Sequence, residues 1–169
     1  MFTLITVFSN RRKTLSMRLE ADGRITVHAP TGTSMDTIHK FVQSHEKWIE
    51  KNMPRVQSRA QKYESADVRS LTQEAKQYIP PRVEYLAGRM GLYPQGVKIT
   101  SAKTRFGSCS AKNSLCFSCY LMLYPKEAID YVIVHELAHI KEKNHSDRFY
   151  KVIEDFMPDY KSRIRLLKK

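Results

Sequence analysis

The chain has 169 residues, of which 41% are hydrophobic and 27% charged, a balance typical of a folded globular protein and not of a disordered one. No apolar run approaches the roughly 20 residues needed to cross a bilayer, which argues against a transmembrane helix and a membrane partner. The formal net charge of +12 favours nucleic acid or an acidic protein as partner, although a basic surface can also serve solubility alone.

Two features of the sequence indicate a cytoplasmic protein. The apolar residues 1–8 precede the basic cluster Arg11–Lys13, whereas a secretory signal begins with its basic residues and continues with a longer apolar segment. We therefore predict that residues 1–8 form a strand. The chain also has three cysteines, Cys109, Cys116 and Cys119, and an odd number argues for reduced thiols and against a disulfide framework.

A β-hairpin and an amphipathic helix are predicted next. Residues 14–20 and 24–29 alternate apolar and polar side chains on either side of Asp22-Gly23, an arrangement typical of a hairpin. Ser34 is a suitable N-terminal cap for the helix that follows. The apolar stripe of this helix consists of Ile38, Phe41, Val42, His45, Trp48 and Ile49. We interpret His45 as a partly buried residue at the edge of the core.

The middle of the chain is predicted to contain a connector, a long helix and two strands. Residues 53–67 are polar and basic, and a helix is predicted over 71–90, which Pro80-Pro81 would interrupt or kink. Strands are predicted over 97–100 and 115–120. We expect the second strand to lie at an edge of its sheet, where an extended peptide could add by backbone pairing.

Residues 105–110 lie between these two strands and are predicted to form a loop, because they are small and polar. Cys116 and Cys119 are three residues apart on the second predicted strand, where their side chains would face opposite sides. We therefore do not expect them to share a structural metal ion.

The residues that carry chemistry lie on a helix predicted over 125–143, which begins at Pro125. Its apolar residues cover more than one face, so the helix is predicted to be buried. Within it, His135 and His139 are four residues apart and therefore lie one turn apart on the same face. Burying these polar side chains is costly unless they gain strong partners, and a shared metal ion is the simplest such partner.

A third ligand is expected after this helix, because catalytic zinc has three protein ligands and one open position. His145 follows His139 by six residues, the spacing of metzincin sites, although Glu142 stands where that motif has glycine. Glu154 and Asp155 are rivals, since some zinc peptidases take a carboxylate from a following helix. We favour His145 because of its spacing.

Glu136 is the candidate general base, because it is adjacent to His135 and can lean toward a water in the open position. Three neutral imidazoles leave Zn²⁺ its full charge, which lowers the pKa of bound water toward about 7. Glu136 would accept the proton of this water and deliver it to the leaving amine. The candidates for a further contact with the transition state or substrate are Tyr150, Arg105 and Tyr124.

Carboxylates are expected to orient the zinc histidines through their second ring nitrogens, and Asp147, Glu154 and Asp155 are the candidates within reach. Met157 could form a floor beneath the site, although a methionine of the core is the simpler interpretation.

From about residue 13 to its end, the chain resembles the YgjP-like metallopeptidases and is more distantly similar to the SprT and WLM zinc proteases. The resemblance rests on residues 11–19, 105–110, 129–139 and 145–150. It implies an α+β fold with a zincin-like core, in which a mixed or antiparallel sheet lies beside the metal-bearing helix. Within one unit, 1–169, an N-terminal hairpin and helix lobe, 1–66, would precede the catalytic core, 67–169. The family usually has tryptophan at the positions of Phe106 and Tyr150.

The sequence thus predicts a zinc-dependent metallopeptidase that hydrolyses peptide bonds of a protein or peptide substrate. The alternative is a basic, nucleic-acid-associated zinc protein with little or no proteolytic activity, which the net charge and the basic residues of 161–169 favour. A zinc hydrolase of another amide would use the same ligands, and the sequence does not distinguish it from a peptidase.

Overall fold

The predicted α+β fold is confirmed by the computed structural model, which describes residues 3–168. The elements in chain order are β1 (Leu4–Ser9), β2 (Ser16–Leu19), β3 (Ile25–Pro30), α1 (Met35–Ser44), α2 (Glu46–Glu64), α3 (Val68–Met90), β4 (Gly96–Thr100), β5 (Gly107–Cys109), β6 (Ser114–Ser118), a 3-10 helix (Cys119–Leu123), α4 (Lys126–Lys141), α5 (Asp147–Phe156) and α6 (Tyr160–Leu166). The chain divides into two compact units, the first ending at Ser65 and the second beginning at Ala66. Within the described residues, no helix combines the length and apolar character that crossing a membrane requires.

The first unit contains a three-stranded mixed sheet with β3 at its centre. The predicted hairpin is confirmed, since β2 pairs antiparallel with β3, and β1 pairs parallel with the other side of β3. Alternate residues of β3, Ile25, Val27 and Ala29, are buried, and they share one core cluster with Ile38 of α1 and Ile49 of α2.

The single helix predicted from Ser34 through Ile49 is wrong, because the helix stops at Ser44 and a new one begins at Glu46. The carbonyl of Phe41 accepts hydrogen bonds from the Ser44 hydroxyl and from the Nδ1 atom of His45, each at 2.8 Å. Side chains that bond nearby carbonyls in this way compete with the helical ladder. Trp48, which was assigned to the apolar stripe, is 46% exposed.

The connector predicted over 53–67 is mostly helical, since α2 continues to Glu64. The next helix, α3, runs through Pro80-Pro81 without an interruption and ends at Met90, as predicted. Gly91, which follows, has a left-handed φ of 64°. At its other end, the side chain of Asp67 accepts a hydrogen bond from the backbone N–H of Arg69 at 2.9 Å.

The sheet of the second unit has the strand order β4-β6-β5, with β6 parallel to β4 and antiparallel to β5. The prediction that this strand is an edge is therefore wrong, because β6 lies in the centre. β6 also ends at Ser118, so Cys119 lies in the 3-10 helix and not on the strand. The predicted loop 105–110 contains the edge strand β5, whose three residues are too few to show a period of two.

An ion pair joins the helices of the second unit around Asp130, which is only 8% exposed. Arg82 of α3 donates from Nε and Nη2 to the two carboxylate oxygens of Asp130, both at 2.7 Å. Arg163 of α6 adds a longer contact of 3.8 Å. A buried carboxylate on α4 thus has partners on two neighbouring helices.

Candidate metal centre

Helix α4 carries the two histidines and the glutamate of the predicted motif. Pro125 precedes its first residue with φ −59° and ψ 151°, a conformation that the proline ring favours. The helix packs against β5 of the sheet and against α3, α5 and α6. Its segment from Ala128 to Ala138 is therefore buried, except for the partly buried His135. Both imidazoles project from the C-terminal half of the helix, whose dipole favours a cation.

The structure brings together the three histidines that were predicted as ligands. The Nε2 atom of His145 lies 3.1 Å from Nε2 of His135 and 3.2 Å from Nε2 of His139. The ligand atoms of all three residues lie within 4.8 Å of one another. Nitrogens bound at about 2.0–2.1 Å to a tetrahedral zinc ion would be about 3.3 Å apart, so the spacing fits this ion.

The hydrogen-bond partners of the imidazoles also fit a metal ion. His139 donates from Nδ1 to the carbonyl of Glu142 at 2.9 Å, and a neutral ring protonated there keeps a lone pair on Nε2. Nε2 of His145 faces the Nε2 atoms of two other rings but can carry at most one hydrogen. A cation between the three nitrogens satisfies all of them, whereas hydrogen bonding alone does not.

The carboxylates that were expected to orient the histidines do not do so in the structure. His139 is held by the backbone carbonyl of Glu142, and Nδ1 of His135 lies 3.3 Å from the hydroxyl of Tyr131. Asp155 instead pairs with Lys151 at 2.6 Å. Tyr131 is one helical turn before His135, so the same periodicity that places the ligands could have identified it.

Phe149 is a residue of the site that the sequence analysis missed. Its side chain is fully buried, and its ring centroid lies 4.8 Å from that of His135, 4.4 Å from that of His139 and 4.9 Å from that of His145. The rings of Phe149 and His139 are stacked at 29°. The aromatic floor of the site is therefore Phe149, four residues after His145, while Met157 is an ordinary buried residue.

Burial favours the neutral form of two of the imidazoles, those of His135 and His139. It lowers the pKa of His135 to about 4, and the neighbouring His139 and His145 add to this effect. Burial is also the main cause of the lowered pKa of His139. Because the metal binds the neutral imidazole, these two rings are ready to bind without first losing a proton at pH 7.

Glu136 follows His135 on α4 and is only 6% exposed. Burial raises the pKa of its carboxyl to about 7, and the positive charge of Arg105 offsets part of this increase. A β-carbon built at Gly107, on the edge strand β5, would lie 2.7 Å from the Cγ and Oε1 atoms of Glu136. The base predicted from the motif is thus enclosed by the strand that the sequence analysis interpreted as a loop.

The three candidates for contact with the transition state occupy different positions. Tyr150 is 38% exposed, and its ring centroid lies 6.4 Å from that of His145. Arg105 is exposed, and its charge acts on Glu136. Tyr124 is 8% exposed and packs edge-on against Phe106 at 5.1 Å. The ring of Tyr150 is thus placed near a histidine of the site.

Comparison with known proteins gives one family and two similar structures. The chain matches the family model described as YgjP-like, metallopeptidase domain, over residues 13–71 and 60–169. The crystal structure of the metallopeptidase zymogen of Pyrococcus abyssi abylysin is 24% identical, with 50% of this chain and 89% of that chain covered and a TM-score of 0.44. That of Methanocaldococcus jannaschii jannalysin is 23% identical, with 52% and 93% covered and a TM-score of 0.45. None of the curated proteins matches the chain.

Proposed function

Since the chain belongs to the YgjP-like metallopeptidase domain family, we propose that it is a peptidase whose zinc ion is held by His135, His139 and His145. The observation that carries this proposal is the convergence of the three Nε2 atoms, two pairs of which lie 3.1 and 3.2 Å apart. Imidazole nitrogens also bind other transition metals, so the identity of the metal as zinc is itself proposed.

Held by His135, His139 and His145, a zinc ion would supply Lewis-acid chemistry that polarises the substrate carbonyl and acidifies the attacking water. In the proposed mechanism Glu136 accepts the proton of the attacking water and then donates it to the nitrogen of the leaving amine. The support for this role is that Glu136 follows His135 in the chain, is buried, and lies directly against β5. Burial between α4 and this strand would keep the carboxylate in one orientation.

The edge strand β5 is the proposed binding surface for the substrate. β5 lies at the end of the strand order, packs against α4, and places Gly107 at the candidate base. An extended peptide that added to β5 by backbone hydrogen bonds would pass the site with its carbonyl groups in the plane of the sheet. From the sequence we expected a peptide to add to β6. Because β6 is central, we assign this role to the edge strand β5.

The proposed function is tested by zinc content and peptidase activity of the purified chain and two variants. We expect about one zinc per chain, retained by Glu136→Gln and lost by His139→Ala. Glu136→Gln should lower turnover by about 10²–10⁴-fold, the usual contribution of a general base. Glu127→Gln removes an exposed carboxylate from the same helix and should leave both quantities unchanged. If Glu136→Gln turned over peptide as fast as the wild type, and a chelator abolished this turnover, Glu136 would not be the general base.

Nucleic-acid binding is a second candidate function, favoured by the net charge of +12. Phosphate contacts make the logarithm of the affinity fall linearly with the logarithm of the salt concentration, with a slope of about −0.9 per neutralised phosphate of duplex DNA. We expect such a decline for a duplex oligonucleotide and the full chain. A flat response, or no binding at low salt, would remove this candidate.

A cytoplasmic location is part of the same proposal, and its support is that Cys109, Cys116 and Cys119 are free thiols. Trapping of free thiols at the moment of cell lysis should label all three after denaturation. Cysteines found in disulfide bonds would contradict this location.

A further inference from the structure

The connector between α4 and α5, residues 142–146, determines where the third histidine of the site lies. It carries His145, which is exposed, whereas His135 and His139 are fixed by the buried helix α4. The position of His145 Nε2 beside the other two nitrogens therefore depends on what holds this short segment in place.

Lys143, two residues before His145, contacts the turn between β5 and β6. Its Nζ atom donates to the side-chain oxygen of Asn113 at 2.6 Å and to the backbone carbonyl of Ser110 at 3.2 Å. The Sγ atom of Cys109 lies 3.7 Å away. These three groups lie more than 25 residues earlier in the chain, so the contacts join the connector to a separate part of the second unit.

The turn that receives Lys143 is itself well ordered by hydrogen bonds. The backbone N–H of Asn113 donates to the carbonyl of Ser110 at 3.0 Å, and that of Ser110 donates to the carbonyl of Ser114 at 2.9 Å. The hydroxyl of Ser110 accepts from the N–H of Ser114 at 3.0 Å. Asn113 has φ 60°, a left-handed conformation that asparagine tolerates better than most residues. The turn is therefore a rigid support.

We propose that Lys143 is a positioning residue, which ties the connector to the β5–β6 turn and so holds His145 ready for the metal. The inference rests on the proposed zinc site. A ligand that is already placed costs less conformational entropy when the ion binds, because the connector does not have to be ordered at that moment. The same turn extends from β5, which encloses Glu136, so one hairpin would support both the base and the third ligand.

The charge of Lys143 has the opposite effect on the ion. Its ammonium is a positive charge two residues from His145, so it disfavours further positive charge nearby. If charge were its only influence, removing Lys143 would strengthen zinc binding. If the lysine positions His145, removing it weakens binding, and the sign of the change separates the two roles.

The experiment measures the zinc dissociation constant of the full chain by competition with a chromophoric chelator. Lys143→Met keeps most of the unbranched side chain but removes its donors, and Asn113→Gly removes the acceptor while tolerating the positive φ. We expect each to weaken zinc binding about tenfold, the lower limit for groups that orient metal ligands. The double variant should bind zinc no more weakly than Lys143→Met alone, because the contact between Lys143 and Asn113 is already absent in that variant.

Lys141→Met is the matched control, because it removes an exposed lysine that is also two residues from a histidine of the site. It should bind zinc as tightly as the wild type or slightly more tightly. Zinc affinity of Lys143→Met that equals or exceeds that of the wild type overturns the inference, as do fully additive losses in the double variant. Weaker binding in a chain that cleaves no peptide upholds the inference and contradicts only the proposed function. A wild-type chain that binds no zinc overturns both.

Discussion

Gly107 on β5 lies so close to Glu136 on α4 that a β-carbon at position 107 would come within 2.7 Å of the glutamate side chain. Contacts of this length do not occur between non-bonded carbon atoms, whose favourable separation begins at about 3.5 Å. Since only 6% of Glu136 is exposed, the carboxylate has little room to move away. The absence of a side chain at position 107 is therefore what allows the Glu136 carboxylate to lie against β5.

Gly107→Ala should displace Glu136 and lower peptidase turnover by about tenfold or more, because misplacement of a reacting group by about 1 Å can cost 10²-fold. Zinc content should remain at the wild-type value, since the three histidines are unchanged. Turnover and bound zinc measured on the same preparation check this expectation. Gly96→Ala on β4 is the control, because nothing lies within 4 Å of a β-carbon built there. Equal turnover in the two variants would show that Gly107 does not set the position of the base.

Phe149→Leu should weaken zinc binding more than its cost in stability explains. The ring of Phe149 packs against all three imidazoles at 4.4–4.9 Å, and leucine cannot fill the same flat space. Phe117→Leu on β6 is the matched control, because Phe117 is also fully buried. Both variants should lower the free energy of unfolding of the metal-free protein by roughly 1–2 kcal/mol. Only Phe149→Leu should raise the zinc dissociation constant, and an equal effect of both would make Phe149 an ordinary core residue.

Arg82→Met should destabilise the chain, because Asp130 would remain buried without its bidentate partner. The side chain of Arg82 is 33% exposed, so we expect a loss of roughly 1–3 kcal/mol, below the usual cost of breaking a fully buried pair. Chemical denaturation gives this value. Adding Asp130→Leu should recover part of the loss. A double variant that is less stable than Arg82→Met would mean that Asp130 is satisfied by other groups, such as Arg163 at 3.8 Å.

In the metal-free protein, Glu136 and His135 should make opposite contributions to the change of the free energy of unfolding with pH. Glu136, whose pKa is raised to about 7, contributes stability at low pH that is lost as the pH rises to 7. His135, whose pKa is lowered to about 4, contributes the opposite, since its stabilisation is lost as the pH falls from 6.5 to 4. The two contributions offset each other in the wild-type protein.

Glu136→Gln removes the contribution of Glu136 and leaves that of His135. The free energy of unfolding of this variant should therefore rise by up to about 3 kcal/mol between pH 4 and 6.5 in the presence of chelator. Denaturant titrations at several pH values test this expectation. A variant as insensitive to pH as the wild type would show that His135 is not buried as a neutral imidazole.

The features that could be predicted from the sequence are those set by local periodicity. Helical spacing alone places His135 and His139 on one face, and the alternation around Asp22-Gly23 is sufficient for the β2–β3 hairpin. The helix that carries the histidines was predicted to within two residues at its C-terminal end. Its burial was predicted from its apolar residues, which cover several faces.

The features that could not be predicted depend on distant or backbone groups. The central place of β6 follows from its pairing with β4 and β5, and a strand as short as β5 has no pattern of its own. The partner of His139 is the backbone carbonyl of Glu142, and the residue type at a position does not indicate what its backbone carbonyl binds. The break at His45 likewise results from two side chains that share the Phe41 carbonyl, which propensity does not reveal.

X-ray absorption spectroscopy at the zinc edge of the loaded protein tests the three-histidine site most directly. It measures the identity and distance of the atoms bound to the metal without depending on a substrate. We expect three imidazole nitrogens and one oxygen ligand at about 2.0–2.1 Å, with one imidazole fewer in His145→Ala. A sulfur atom at about 2.3 Å, or three imidazoles that persist in His145→Ala, would contradict the three-histidine site.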